Sequence, residues 1–208
     1  MKKILVIIYR LILLIIIIIG IIFNFIAKNY DLNMLLSYYT VQSNIIVAIF
    51  LFLEIINSFK KIKLFKKEET YQNIKGMITL IILITGLIFA IILAPYVKNW
   101  TGYRLYSSYI LHYISPLMVL IDFLFFDKPT TKLSIKKNIF WLIYPITYYI
   151  VGIIRILFID GFIPYPFMDI RGLGYIKSLG IVIFLILVFY IISIILILLK
   201  NIISKIRK

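Results

Sequence analysis

Two residues of this sequence have side chains that can act together as a nucleophile and a base. Thr40 lies in the polar segment Tyr39–Asn44, and His112 is the single histidine of the 208-residue chain. A hydroxyl becomes a good nucleophile when a base accepts its proton, and neutral imidazole is the usual base near pH 7. Thr40 and His112 are therefore a candidate nucleophile and general base.

Other polar residues can orient this pair or stabilise negative charge on a reacting group. Thr40, Ser43 and Asn44 share one helix face, because they are spaced at i, i+3 and i+4. Later apolar segments supply the remaining candidates for an oxyanion hole or for substrate contacts, which are Ser115, Tyr148 and Arg155. A packing role is an alternative for each of them, since serine, threonine and asparagine often bond helix backbones or join helices in lipid.

Metal and cofactor chemistry has little support in the composition. The chain has no cysteine, which excludes disulfides, thiolate nucleophiles and Cys-ligated metals. A single histidine also argues against a His-rich zinc or haem site. We expect neither a metal nor a cofactor.

The elements that must position these residues are membrane-spanning helices. The chain is 63% hydrophobic, with a mean hydropathy of +1.09, and its apolar residues come in blocks of about twenty. Backbone groups in lipid need internal partners, and runs such as Leu11–Ile19 do not alternate as barrel strands do. We therefore predict an all-α, polytopic membrane protein with a single six-helix domain. The spans are predicted at residues 4–27, 35–57, 76–97, 107–126, 138–159 and 176–199.

Basic residues predict the orientation of these spans. Most of the 23 lysines and arginines fall on the side that holds both chain ends, so the positive-inside rule places both termini in the cytoplasm. This predicts a multi-pass protein of a bacterial-type inner membrane, with lipids as partners. The same bias explains the net charge of +15, and nucleic-acid binding is not expected. The sequence carries no signal for an oligomeric state.

Two further features accompany this topology. The connection Ser58–Lys75 is basic and is predicted to lie on the cytoplasmic membrane surface. Arg10, Glu54 and Asp122 lie near the cytoplasmic ends of their spans, where snorkelling or ion pairing between helices is favoured over a functional role.

Three segments of the sequence resemble one family of membrane proteins. They are Tyr39–Asn44, then Leu111–Leu117 with Asp122, and then Tyr144-Pro145 continuing to Pro164–Phe167. Together they look like the bacterial six-helix relatives of the androgen-induced, FAR-like family. Animal members of that family are membrane threonine hydrolases that cleave fatty acid esters of hydroxy fatty acids. The resemblance implies that Thr40 and His112 are the catalytic pair, and the Gln42-Ser43-Asn44 continuation matches the bacterial branch.

Three functions of different classes remain open. The first is an intramembrane hydrolase whose lipid-like ester substrate enters from the outer leaflet. The second is a small transporter or channel, which needs a polar route from the level of Thr40 to the charges near Asp122. The third is a non-catalytic lipid-binding or scaffolding protein. Contact between Thr40 and His112 favours the first over the third, and an apolar floor beneath His112 argues against the second.

Overall fold

Six long helices dominate the computed structural model, which describes residues 3–28, 31–60, 67–97, 99–127 and 132–206. Within these ranges the chain contains no strand, and six helices are long and apolar enough to cross a membrane. They are α1 (Lys3–Ala27), α2 (Tyr39–Phe59), α3 (Glu68–Tyr96), α4 (Gly102–Phe126), α5 (Ile135–Ile159) and α6 (Tyr175–Ile206). The prediction of an all-α protein with six helices of spanning length is confirmed.

The ends of two helices differ from the hydropathy blocks. Helix α3 begins at Glu68, inside the predicted connection, because acidic residues in its first turn suit the positive end of the helix dipole. Helix α2 begins at Tyr39, since a separate short helix, Leu32–Leu36, precedes it and is capped at Ser37. Residues 61–66 of the predicted surface connection lie outside the described residues. So do several of the basic residues that predict the orientation, among them Lys2, Lys128 and Lys208.

Two groups of buried apolar side chains pack the bundle. One joins α1, α2, α3 and α4 and contains Leu13, Ile17, Val47, Phe50, Leu51, Ile78, Ile82 and Val119. The other joins α3 and α4 to α5 and α6 around Trp141 and Phe123. Large apolar side chains such as Ile91 and Ile176 are exposed on the outside of the bundle, as expected of helices that face lipid.

A cluster of charged side chains is buried at one end of the bundle. We call this end of the bundle the basic end, and it is the end that contains Arg10, Lys75 and Lys200. The Arg10 guanidinium donates to Asp122 at 2.8 Å and to Asp127 at 3.0 Å. The Lys75 ammonium contacts Asp122 and Asp127 and lies 3.2 Å from the carboxylate of Glu54. These contacts join α1, α2, α3 and α4.

Lys200 of α6 extends this cluster. Its ammonium is buried and donates to the backbone carbonyls of Phe123 and Asp127. The cations of Arg10, Lys75 and Lys200 are equal in number to the carboxylates of Glu54, Asp122 and Asp127, so the group is formally neutral. The three carboxylates are close enough together to resemble a metal site, but the Lys75 ammonium already lies among them.

The cluster confirms the ion pairing between helices that was one of the two alternatives for Arg10, which is buried. It corrects the placement of two lysines. Lys75 and Lys200 do not lie in cytoplasmic connections, because both are buried within helices. Burial alone raises the pKa of Asp127, but the charges of Lys75 and Arg10 outweigh it and hold that pKa well below its usual range.

We expect Lys75→Met to destabilise the fold by about 3–5 kcal/mol, because it removes one of the two cations that the three carboxylates share and leaves excess negative charge buried. Lys137→Met is the matched control. Lys137 also pairs with a glutamate, Glu69, but the two side chains are 52% and 42% exposed, so the loss should be much smaller than for Lys75→Met. Thermal unfolding of the purified proteins in one detergent measures both. Equal losses would contradict the role assigned to the buried cluster.

Candidate functional site

Thr40 and His112 come from different helices and lie in contact. Thr40 is in the first turn of α2, and His112 is in a π-helical turn of α4, Ile110–Ile114. The Thr40 Oγ1 atom lies 3.2 Å from His112 Nε2, and each residue is 9% exposed. Such π-helical turns frequently occur at functional sites. The distance is within the reach that a general base needs.

The other ring nitrogen of His112 determines which way this hydrogen bond runs. His112 Nδ1 lies 3.0 Å from the backbone carbonyl of Ser108, one turn earlier in α4. A carbonyl only accepts, so we assign the ring proton to Nδ1. Nε2 then presents its lone pair to the Thr40 hydroxyl, which donates. The Ser108 carbonyl thus takes the orienting role that a carboxylate has in many hydrolases.

Helix α3 fixes the position of the imidazole from another side. The Phe89 ring stacks on the His112 ring, with centroids 3.9 Å apart and an angle of 21° between the planes. One turn earlier, Gly86 allows the close approach of α3 and α4, since a Cβ there would lie 2.7 Å from the His112 carbonyl oxygen. The imidazole is therefore held by α2, α3 and α4 together.

A tyrosine from the connection between α5 and α6 completes the surroundings of Thr40. The Tyr165 hydroxyl lies 3.4 Å from Thr40 Oγ1 and accepts from the Thr40 backbone N–H, also at 3.4 Å. Burial raises the pKa of Tyr165, so its hydroxyl stays protonated and able to donate. The sequence interpretation missed this role. Two signals were available: Tyr165 lies between Pro164 and Pro166, and it belongs to one of the segments that carry the family resemblance.

Tyr148 and Arg155 lie beside the start of α2 and do not contact the Thr40 hydroxyl. The Tyr148 hydroxyl accepts from the Tyr39 N–H at 3.1 Å and donates to the Ser37 carbonyl at 2.9 Å. Arg155 donates to Ser37 Oγ at 2.5 Å and pairs with Asp160. Hydrogen bonds from Arg155 and from a backbone N–H hold the pKa of Asp160 below its usual range. Tyr148 and Arg155 thus fix the loop that leads into α2.

Asn44 joins α2 to α4 directly below Thr40. Its amide nitrogen donates to the Thr40 carbonyl at 2.8 Å and to the Leu111 carbonyl at 3.3 Å. Its amide oxygen accepts from Ser115 Oγ at 2.7 Å. These bonds occupy the polar groups of Asn44 and Ser115, so the two residues position the site and are not oriented as oxyanion donors.

Ser43 has a similar role toward α3. Its hydroxyl donates to the Thr40 carbonyl at 3.0 Å and lies 2.8 Å from the hydroxyl of Thr85. Because lipid offers no water, such buried hydroxyls find their partners within the bundle. Ser43 is therefore also a positioning residue, and its predicted oxyanion role has no geometric support.

Two cavities meet at Thr40 and Tyr165. The first, which we call the apolar cavity, has a volume of about 330 Å³ and includes Ile84, Ile146, Tyr149, Met168, Leu185 and Phe189 in its walls. The second, which we call the His112 cavity, has a volume of about 380 Å³ and includes Tyr38, Phe89, Trp100, Arg104 and His112. A molecule bound at Thr40 can therefore extend in two directions.

An apolar layer separates this site from the basic end. Along α2, Val47, Phe50 and Leu51 lie between Asn44 and the charge cluster, and all three are buried. Ile78 and Ile82 of α3 and Val119 of α4 lie at corresponding levels. In the described part of the chain, these side chains form an apolar floor beneath the Thr40 site.

Comparison with known protein families, with curated proteins and with solved structures finds no match to this chain. A hydroxyl faces the lone pair of an oriented imidazole, and a protonated tyrosine hydroxyl lies on its other side. This arrangement can perform nucleophilic acyl transfer.

We expect Gly86→Ala to destabilise the protein by about 1–3 kcal/mol, because the added methyl group overpacks the contact between α3 and α4. Gly180→Ala is the control, since a Cβ there meets nothing within 4 Å, and alanine favours helix over glycine. Thermal unfolding in one detergent compares the two variants. A Gly86→Ala protein as stable as the unmodified chain would refute the close approach that holds His112.

Proposed function

We propose that this protein is an intramembrane hydrolase of lipid-like esters, with Thr40 as nucleophile and His112 as general base. The observation that carries the proposal is the 3.2 Å contact between Thr40 Oγ1 and His112 Nε2, in a ring whose Nδ1 faces a backbone carbonyl. Segments 39–44, 111–117 and 164–167 resemble the bacterial relatives of the FAR-like family. The animal members of that family are threonine hydrolases, and their catalytic pair matches Thr40 and His112.

In the proposed reaction, Thr40 Oγ1 attacks the carbonyl carbon of the ester while its proton moves to His112 Nε2. The bond to the alcohol oxygen then breaks, and His112 returns the proton to that oxygen. This leaves Thr40 as an acyl ester. Water, deprotonated by His112, attacks the acyl ester and releases the acid and the Thr40 hydroxyl. One ester and one water thus give one acid and one alcohol.

The start of α2 offers groups that can stabilise the oxyanion of this reaction. The backbone N–H groups of Tyr39 and Thr40 have no partner within their own helix and donate to the hydroxyls of Tyr148 and Tyr165. An oxyanion formed next to Thr40 can accept from the Thr40 N–H and from the Tyr165 O–H. The positive end of the α2 dipole adds to this stabilisation.

The proposal includes the orientation and the membrane. The excess of basic residues on the side of the chain ends supports cytoplasmic termini in a bacterial-type inner membrane. Thr40 then lies toward the outer leaflet. Membrane lipids are the proposed partners, and a lipid-like ester can reach Thr40 from within the bilayer.

The alternatives are supported less well. A transporter or channel needs a polar route, and the apolar floor formed by residues such as Phe50 and Ile82 counts against one. A non-catalytic lipid-binding protein accounts for the apolar cavity. It does not account for the hydroxyl of Thr40 facing the basic nitrogen of His112.

We expect Thr40→Ala to abolish labelling by a fluorophosphonate probe, because the side chain that attacks phosphorus is removed. Purified protein in nanodiscs is the material, and hydrolysis of a p-nitrophenyl acyl ester is the second readout. Thr147→Ala, at an exposed threonine of α5, is the matched control and should label normally. His112→Gln should lower the hydrolysis rate by about 10²–10⁴-fold. Labelling that survives Thr40→Ala unchanged removes the nucleophile assignment.

We expect Tyr165→Phe to lower kcat by about 10²-fold with little change in KM, because it removes a donor that acts on the oxyanion. The ring and its packing are retained, so the fold should persist. Tyr175→Phe, at an exposed tyrosine, should leave both constants unchanged. If Tyr165→Phe retains full kcat, Tyr165 only packs against Thr40.

A further inference from the structure

We propose that the apolar cavity binds one linear hydrocarbon chain, the acyl arm of the ester, and that Phe189 and Leu142 form the end that limits its length. This inference rests on the proposed function, because Thr40 marks the reactive end of the cavity. It goes further by naming the ligand class of the cavity and the residues that select it.

The polar groups in the cavity wall lie mainly at the Thr40 end. Thr85 is bonded to Ser43, and the hydroxyls of Tyr148 and Tyr165 are bonded at the start of α2. Farther along, the walls are aliphatic or aromatic, with Leu142, Ile146, Val182, Leu185, Ile186 and Phe189 among them. A hydrocarbon chain that begins at an ester next to Thr40 meets apolar atoms along this part of the cavity.

The size of the cavity fits one chain. A methylene occupies about the volume of one water molecule in the liquid, roughly 30 Å³, so the cavity of about 330 Å³ holds on the order of ten methylenes. Val182 and Phe189 line it over about two turns of α6, on the order of 10 Å. This space is too large for a short acyl group and too small for two long chains.

The cavity has a closed end and a side that faces lipid. Phe189 is 8% exposed and Leu142 is buried, and beyond them Asn138 of α5 donates to Ser193 of α6 at 2.7 Å. That hydrogen bond joins α5 and α6 beyond the closed end of the cavity. On α5, Ile150 lines the cavity and is also 52% exposed. A chain can therefore enter from the bilayer between α5 and α6 and stop at Phe189.

The test changes Phe189 at the closed end of the apolar cavity and measures the preferred chain length in two ways. Phe189→Ala removes a volume on the order of 100 Å³, so the preferred chain should lengthen by about three methylenes on the same volume scale. Phe189→Leu should give a smaller shift and provides a second variant if the alanine variant folds poorly. Phe184→Ala is the matched control, because Phe184 lies on the same helix but is 64% exposed and does not line the cavity.

The first readout is the hydrolysis of p-nitrophenyl esters with acyl chains of increasing length. The second needs no catalysis: saturated fatty acids of increasing length displace a fluorescent fatty acid from the Thr40→Ala protein. A shift in both supports the inference. A shift in binding without any hydrolysis supports the inference and refutes the proposed function. An unchanged length preference in Phe189→Ala, an equal shift in Phe184→Ala, or no binding of any chain overturns it.

Discussion

The hydrogen bonds of Asn44 are the interaction on which the geometry of the candidate site depends. One amide side chain binds the carbonyls of Thr40 and Leu111 and accepts from Ser115, so α2 and α4 meet in a single register. An unsatisfied polar group in hydrocarbon costs on the order of several kcal/mol, and sliding either helix would break these bonds without water to replace them. The contact between Thr40 and His112 is a consequence of that register.

Polar contacts at two levels of the membrane hold the bundle together. Apolar side chains alone do not favour helix association strongly, because they contact lipid tails about as well as they contact another helix. At the basic end, the charge cluster joins five helices, α1, α2, α3, α4 and α6. Near Thr40, the hydrogen bonds of Ser43 and Asn44 join α2, α3 and α4. Helix α5 takes part in neither. It is hydrogen-bonded through Asn138 to Ser193 near one end and through Tyr144, Tyr148 and Arg155 toward the other. The apolar cavity lies along the middle of α5, where Leu142, Ile146 and Ile150 line it.

The six helices and the proximity of Thr40 to His112 were accessible from the sequence, because the apolar blocks are long and their order along the chain places both residues near the same side of the membrane. The burial of Lys75 and Lys200 could not be predicted from the sequence, because a lysine near a helix end normally reaches water. The neighbouring residues in the sequence do not indicate which lysines will be buried against other helices. The role of Tyr165 was also out of reach, because it depends on a loop folding back onto α2. The type of a residue indicates whether its side chain can form hydrogen bonds or ion pairs, but only the fold determines its partners.

The proposed hydrolysis requires a hydrocarbon chain and a water molecule to reach the same hydroxyl. The apolar cavity admits a chain from the side of α5 and α6, whereas the His112 cavity includes the exposed side chains of Arg104 and Tyr96 and so reaches toward the aqueous end of the bundle. Thr40 lines both cavities. A threonine in the middle of α2 would meet only the chain, and one in a surface loop would meet only water. The first turn of a spanning helix is the level at which both can arrive, and there the N–H groups of Tyr39 and Thr40 donate to tyrosine hydroxyls rather than within their own helix.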